Sequence, residues 1–233
     1  MSKVAVVTGA SQGIGAATVA AYRKLGYLVV ANSRRITPSD DPGVLAVPGD
    51  IADPAVGTRV IAAGLAEFGR IDTLVNNAGI FIAKPFTDYT AEDFDVVTGI
   101  NLRGFVTVTQ HAINAMLRQG AGHVVTITTS LTDHANSSLP SALASLSKGG
   151  LNAATKALAI EYATRGIRFN AVSPGVIRTP MHPAETHEFL AGLHPMGRLG
   201  EMSEVTDAIV YLENAAFVTG EILHVDGGQS AGH

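Results

Sequence analysis

The sequence predicts an α/β protein in which a parallel sheet is covered by helices on both faces, the doubly wound architecture. Three observations point there. Short runs rich in Val and Ile alternate with longer stretches whose apolar residues recur at helical spacing. The short runs are apolar nearly throughout, not at every second residue, as strands buried on both faces require. No linker, composition shift or internal repeat divides the 233 residues, so one domain over 1–233 is expected.

The elements follow in order. Val4–Thr8 forms a first strand that runs into a glycine-rich turn and a helical stretch, Ile14–Leu25. Leu28–Asn32 and Val44–Val47 read as the next strands, followed by a helix over Ala55–Phe68 and a strand at Thr73–Asn76. The helical pattern Ala91–Arg118 contains Gly99 and Gly104, so a bend or break is expected there. Val124–Thr128, Arg168–Val172 and Ile222–Val225 bring the sheet to about seven strands, with helices at Ser141–Thr164 and Glu201–Leu212 between them. From Pro174 to Gly200 the periodicity is weak, and Pro180, Pro183, Pro195, His182, His187 and His194 accumulate. A long connection at the carboxyl end of a strand reads as a substrate lid, here over residues 176–200.

Composition removes several classes of function. Charged residues make up 15% of the chain, against roughly 25% in ordinary soluble chains. With 46% apolar residues, much surface must be buried in the core or against further copies of the chain. A net charge of −4 without any Lys/Arg block argues against a nucleic-acid partner. The absence of Cys removes disulfides, thiolate nucleophiles and Cys-based zinc sites. The lid histidines lack metal-ligand spacing, so no metal is expected. No apolar run reaches the roughly 18 residues of a membrane span. The first strand begins at Val4, leaving no room for a signal peptide, and a cytoplasmic protein is expected.

The turn after the first strand is Thr8-Gly9-Ala10-Ser11-Gln12-Gly13-Ile14-Gly15. Gly9 allows a tight reversal, Gly13 lets backbone amides approach a pyrophosphate, and Gly15 permits close packing of helix on strand. The free N–H groups of the helix N-terminus then face the phosphates. A strand before and a helix after favour dinucleotide binding on a single Rossmann-fold domain over an ordinary turn.

The G-x-x-x-G-x-G spacing resembles that of the short-chain dehydrogenase/reductase family. Further matches follow in order: Asn76-Asn77-Ala78-Gly79, Asn101 in Ile-Asn-Leu-Arg-Gly, Ser147-Lys148-Gly149-Gly150, Ser173-Pro174-Gly175 with Thr179-Pro180, and Thr219-Gly220 with Val225-Asp226-Gly227-Gly228. The resemblance implies a nicotinamide cofactor held by Gly9, Ser11, Gln12, Gly13, Ile14 and Gly15. Asp50 and Ile51 would flank the adenine, and Asn77, Ala78 and Gly79 would line the ribose and pyrophosphate. Pro174, Gly175 and Ile177 would meet the nicotinamide carboxamide, with Thr179 near the phosphates.

An Asp at the end of the second strand selects NAD through the ribose 2′-OH, whereas Arg pairs with a 2′-phosphate. Here Ser33 holds that place, followed by Arg34 and Arg35. No carboxylate repels a phosphate, and a guanidinium grips one bidentately. NADP(H) is the expected cofactor and NAD(H) the second choice. The competing reading of the arginines is a solvated loop.

Members of the family that reduce carbonyls use Ser, Tyr, Lys and Asn. The resemblance assigns Ser130 to substrate orientation, Lys148 to the nicotinamide ribose and proton delivery, and Asn101 to anchoring a water. The family tyrosine stands one helical turn before the lysine, and that position is Ala144. No Tyr occurs between Asp133 and Ile160. Ser130 also lies one residue further from Lys148 than the family spacing, which points to an insertion within Asp133–Pro140. A laboratory Tyr-to-Ala replacement would leave that spacing unexplained; divergence accounts for both.

The expected activity is reduction of a small ketone or aldehyde, an amino ketone or an imine, with a donor other than Tyr. Water held by Ser130 and Lys148 is one candidate, and an acidic group on the substrate is another. Asp133, His134 and Tyr89 are side-chain candidates, with Phe81 and Phe94 as an apolar wall and Met181 and Met196 as lid lining. The alternative is a cofactor-binding protein without catalysis, a sensor or an inactive subunit; retention of Ser130, Lys148 and Asn101 argues against it. Relatives pair the helices corresponding to Ala91–Arg118 and Ser141–Thr164 between subunits, which implies a homotetramer, with a dimer second.

Overall fold

The computed structural model describes residues 2–232. Seven strands form one sheet: β1 (Val4–Thr8), β2 (Leu28–Ser33), β3 (Val44–Pro48), β4 (Thr73–Asn76), β5 (Gly122–Ile127), β6 (Ile167–Pro174) and β7 (Ile222–Val225). Their order is β3-β2-β1-β4-β5-β6-β7, and every adjacent pair is parallel. Parallel neighbours require crossovers; helices supply all of them except the β2–β3 connection, a loop over residues 34–43, and cover both faces.

The first strand shows how the sequence divides the core. Val4 and Val6 enter one cluster with Leu74, Val124 and Phe169, sealed by Val60 of α2 (Pro54–Phe68) and Met116 of α4 (Gly104–Gln119). Ala5 and Val7 enter the other cluster, with Tyr22 of α1 (Gly13–Lys24) and Ile209 and Leu212 of α7 (Met202–Asn214). Successive side chains point to opposite faces, so a continuous apolar run fills two cores at once.

The strand order reverses direction between β1 and β4, opening a crevice at their carboxyl ends. Most expected boundaries hold to within two residues. The fifth strand starts earlier than Val124 because Gly122 pairs with Ile167, and its register ends at Ile127, opposite Val172. The long helical pattern splits into α3 (Ala91–Thr98), a π-helical turn at Gly99–Arg103, and α4. The next helix, α5 (Ala142–Tyr162), carries Ala144 and Lys148. The lid segment contains a 3-10 turn at Ala184–Thr186 and the short α6 (His187–Ala191). Among the described residues, no helix is long and apolar enough to cross a membrane.

Candidate active site

A groove of about 600 Å³ runs along the carboxyl ends of β1, β2 and β4. Gly9 and Gly13 both take positive φ, +66° and +57°, conformations that favour glycine. A methyl group on Gly15 would collide with the Gly9 carbonyl, so the helix can sit this close to the turn only with glycine there. The far wall is braced from β4. Asn77 Nδ2 donates to the carbonyls of Thr8 (2.9 Å) and Gly9 (3.2 Å), while Thr8 Oγ1 accepts from the amides of Asn77 and Ala78. At the other end of the groove, Arg34 and Arg35 are exposed and line it beside Ser33. The Ser33 hydroxyl and the Asn32 Oδ1 are buried without a hydrogen-bond partner.

A second cavity of about 330 Å³ adjoins the groove, sharing Asn77, Gly79, Ile80 and Met181 with it. Its walls are largely apolar, with Phe81, Leu131, Leu139, Val176 and Leu190, and both Ala144 and Lys148 line it. The Lys148 ammonium donates to the Ile127 carbonyl at 2.7 Å, and burial lowers its pKa from 10.5 to about 8. Ser130 opens a 3-10 turn beyond β5, and its hydroxyl donates to Gln229 Oε1 at 2.8 Å.

Asn101 lies behind this wall and lines neither space. From the π-helical turn its Oδ1 accepts from the Ile80 amide (2.9 Å), and its Nδ2 donates to the Ile80 carbonyl and to Ser147 Oγ (each 3.1 Å). A methyl on Gly79 would come within 2.9 Å of Lys148 Nζ and 3.3 Å of Asn101 Oδ1, so this glycine lets the strand end pass directly over both groups.

Most of the expected cofactor residues converge. Ser11, Gln12, Ile14, Asp50, Ile51, Ala78 and Thr179 line the groove, and Pro174 and Gly175 line the inner cavity. Ile177 lines neither: its side chain is buried in the core, and its neighbour Val176 lines the inner cavity instead. The expected side-chain donors also lie outside both spaces. Asp133 pairs with His224 at 3.2 Å, and the Tyr89 hydroxyl donates to the Ile82 carbonyl at 2.8 Å. His134 and Phe94 line neither space, whereas Phe81 lines the inner cavity. No tyrosine is among the residues lining either space. Sequence reasoning missed Gln229, which carries no motif of its own and reaches Ser130 only because the fold brings the C-terminal turn over β5.

A single parallel sheet with a glycine turn at its switch point, and a lysine beside the inner end of the groove, define a dinucleotide-dependent enzyme fold. The chain belongs to the short-chain dehydrogenase/reductase family. The family described as enoyl-(acyl carrier protein) reductase matches residues 9–230. Glucose 1-dehydrogenase of Gluconobacter oxydans (strain 621H) is 35% identical over 97% of this chain and 91% of its own length. The 3-oxoacyl-[acyl-carrier-protein] reductase FabG of Thermotoga maritima is also 35% identical, over 97% of each chain. A solved structure described as ElxO with NADP bound superposes with a TM-score of 0.92 at 29% identity, covering 100% of both chains. These relatives make the chain an oxidoreductase.

Proposed function

We propose that the protein is an NADP(H)-dependent reductase of a small carbonyl compound or imine in which Lys148, not a phenol, delivers the proton. The observation that carries this reading is the Lys148 ammonium lining the inner cavity with Ser130 and Ala144, where no tyrosine lines the wall.

The residues present fit a 2′-phosphorylated dinucleotide. The unpartnered Ser33 hydroxyl and two exposed guanidiniums stand where an extra phosphate needs donors, and the glycine turn leaves room for the pyrophosphate. When bound, the reduced nicotinamide would supply the hydride. Gly9, Ser11, Gln12, Gly13, Ile14, Ser33, Arg34 and Arg35 would hold the nucleotide, with Asp50, Ile51, Asn77, Ala78 and Gly79 along its course. Pro174, Gly175 and Thr179 would close its inner end.

Ser130 contacts the substrate beside the reacting oxygen, and Lys148 gives up a proton as negative charge develops on that oxygen, directly or through one water. Asn101 acts one layer back, fixing the Ile80 backbone and Ser147 beside the lysine. The exposed side chains Val96, Val106, Leu146 and Ile160 on α3, α4 and α5 favour a homotetramer, with a dimer as the second arrangement.

The test follows nicotinamide absorbance with NADPH against a panel of ketones, aldehydes and imines, beside fluorescence titrations of NADPH and NADH. Oxidation of NADPH is expected. Replacing both Arg34 and Arg35 by Ala should weaken NADPH about 10- to 100-fold while leaving NADH nearly unchanged. Binding without oxidation of any carbonyl or imine would favour a non-catalytic cofactor-binding protein. Equal loss for both nucleotides would remove the arginines from phosphate recognition.

A further inference from the structure

Gln229 is a polar side chain of the inner cavity that no expectation covers. It is 1% exposed, yet it lines the cavity shared by Ser130 and Lys148. The C-terminal turn fixes it from both sides. Asp226 accepts from the amides of Gly228 (3.0 Å) and Ser230 (2.8 Å), and the Gln229 amide donates to the Asp226 carbonyl (3.2 Å). Burying a primary amide in a largely apolar wall costs free energy unless its groups are paired. Its Oε1 is paired with the Ser130 hydroxyl. Its Nε2 has no acceptor among the described residues.

Two complementary groups therefore stand side by side. The Ser130 proton is committed to Gln229, which leaves the Ser130 oxygen with lone pairs to offer. The Gln229 nitrogen offers N–H donors. A plain ketone has acceptors only, so it satisfies the amide and leaves the serine oxygen unused. A carbonyl with an O–H or N–H on the next carbon satisfies both.

We propose that Gln229 and Ser130 act together as the substrate reader, with Gln229 Nε2 donating to the substrate carbonyl oxygen and Ser130 Oγ accepting from a hydroxyl or amino group on the adjacent carbon. This rests on the reductase reading above and narrows its substrate class to α-hydroxy or α-amino carbonyls. The apolar walls contributed by Phe81, Leu131 and Leu139 take the rest of a short, uncharged molecule.

The experiment compares NADPH-driven reduction of 2-butanone and 1-hydroxy-2-butanone. The wild-type chain should prefer the hydroxy ketone in kcat/KM by about tenfold or more, the value of one additional hydrogen bond in a buried site. Gln229→Met keeps the volume and should bring the ratio close to one with NADPH affinity unchanged. Ser130→Ala should lower both rates and collapse the same ratio, which keeps the proposal open to test should the first variant fold poorly. A purely structural role for Gln229 would depress both substrates equally and leave the ratio intact. A wild-type ratio near one, or a ratio that survives both substitutions, overturns the reader. Absence of any NADPH oxidation by the wild-type chain overturns the reductase reading with it.

Discussion

Lys148 and Ala144 share one helical face and one cavity wall, and their pairing sets the acid–base behaviour of the site. Burial costs the ammonium its hydration, which lowers the Lys148 pKa from 10.5 to about 8. The protonated form is the donor. The reductive rate should therefore be level below about pH 8 and fall about tenfold per pH unit above it, read from kcat against pH with saturating NADPH. Ala144→Tyr places a phenol, ordinarily with a pKa of about 10, over the same cavity. That variant should reduce plain ketones at least about tenfold faster and move the falling limb to higher pH, because a general acid contributes about 10²–10⁴. An unchanged pH limb in the tyrosine variant would show that the added phenol does not take over proton delivery. A level wild-type rate through pH 8 would remove Lys148 from proton delivery.

At the scale of elements, the turn between α3 and α4 shows how a correct expectation can rest on the wrong residue. Gly99 and Gly104 mark the interruption in the helical pattern, and glycine costs helix stability wherever it stands. Both glycines are nonetheless helical, with φ of −58° and −56°. The interruption is a widened π-helical turn that carries Asn101 to the Ile80 backbone. Packing is tight at Gly104: a methyl there would lie 3.0 Å from Ile51 Cγ2 and 3.1 Å from the Ile51 carbonyl, so Ile51 would have to shift to admit it. At Gly99 the nearest atom, Ala52 Cβ, is 3.6 Å away, an ordinary contact. Gly99→Ala should accordingly leave stability unchanged or raise it by about 0.5–1 kcal/mol. Gly104→Ala should cost about 1–3 kcal/mol and disturb Ile51 at the groove. Urea denaturation of the two variants separates these outcomes. From the sequence, glycine marks a place where a side chain is unwelcome; only the packing says whether conformation or a neighbour is the reason.

Over the whole molecule, what the sequence discloses is local and what it withholds is long-range. The apolar strands, the helical patterns and the glycine turn are each contained in a few consecutive residues, so the fold and the groove could be read directly. Gln229 meets Ser130 across 99 residues of chain, and nothing beside either residue announces the other. The direction of the side chains at 176 and 177 is withheld for a related reason: strand β6 ends at Pro174, and tertiary packing beyond it puts the Val176 side chain on the cavity and that of Ile177 in the core. The same limit hid a cluster at the opposite end of the sheet. Glu213 of α7 accepts from Tyr22, Tyr27, Thr73 and His123, tying α1, β4, β5 and α7 together at 2.8–3.1 Å. Burial favours the neutral acid, but the donors from His123, Tyr27 and Thr73 outweigh it and hold the Glu213 carboxyl down at about 2. His123 shifts the same way, downward, chiefly because burial penalises its charged form. Both groups bind protons more readily in the unfolded chain, so both make stability fall as pH falls. The His123 contribution begins to be lost below its ordinary 6.5. The Glu213 contribution is complete above 4.5 and is lost on the way to about 2. The urea midpoint should thus decline gently below pH 6.5 and steeply below 4.5, the second limb being worth about 3 kcal/mol. Glu213→Gln cannot accept from four donors and should lower stability near neutral pH by about 3 kcal/mol while flattening that acid limb. Should the limb persist unchanged in the glutamine variant, the acid sensitivity belongs to other carboxylates and the cluster does not govern how the molecule unfolds.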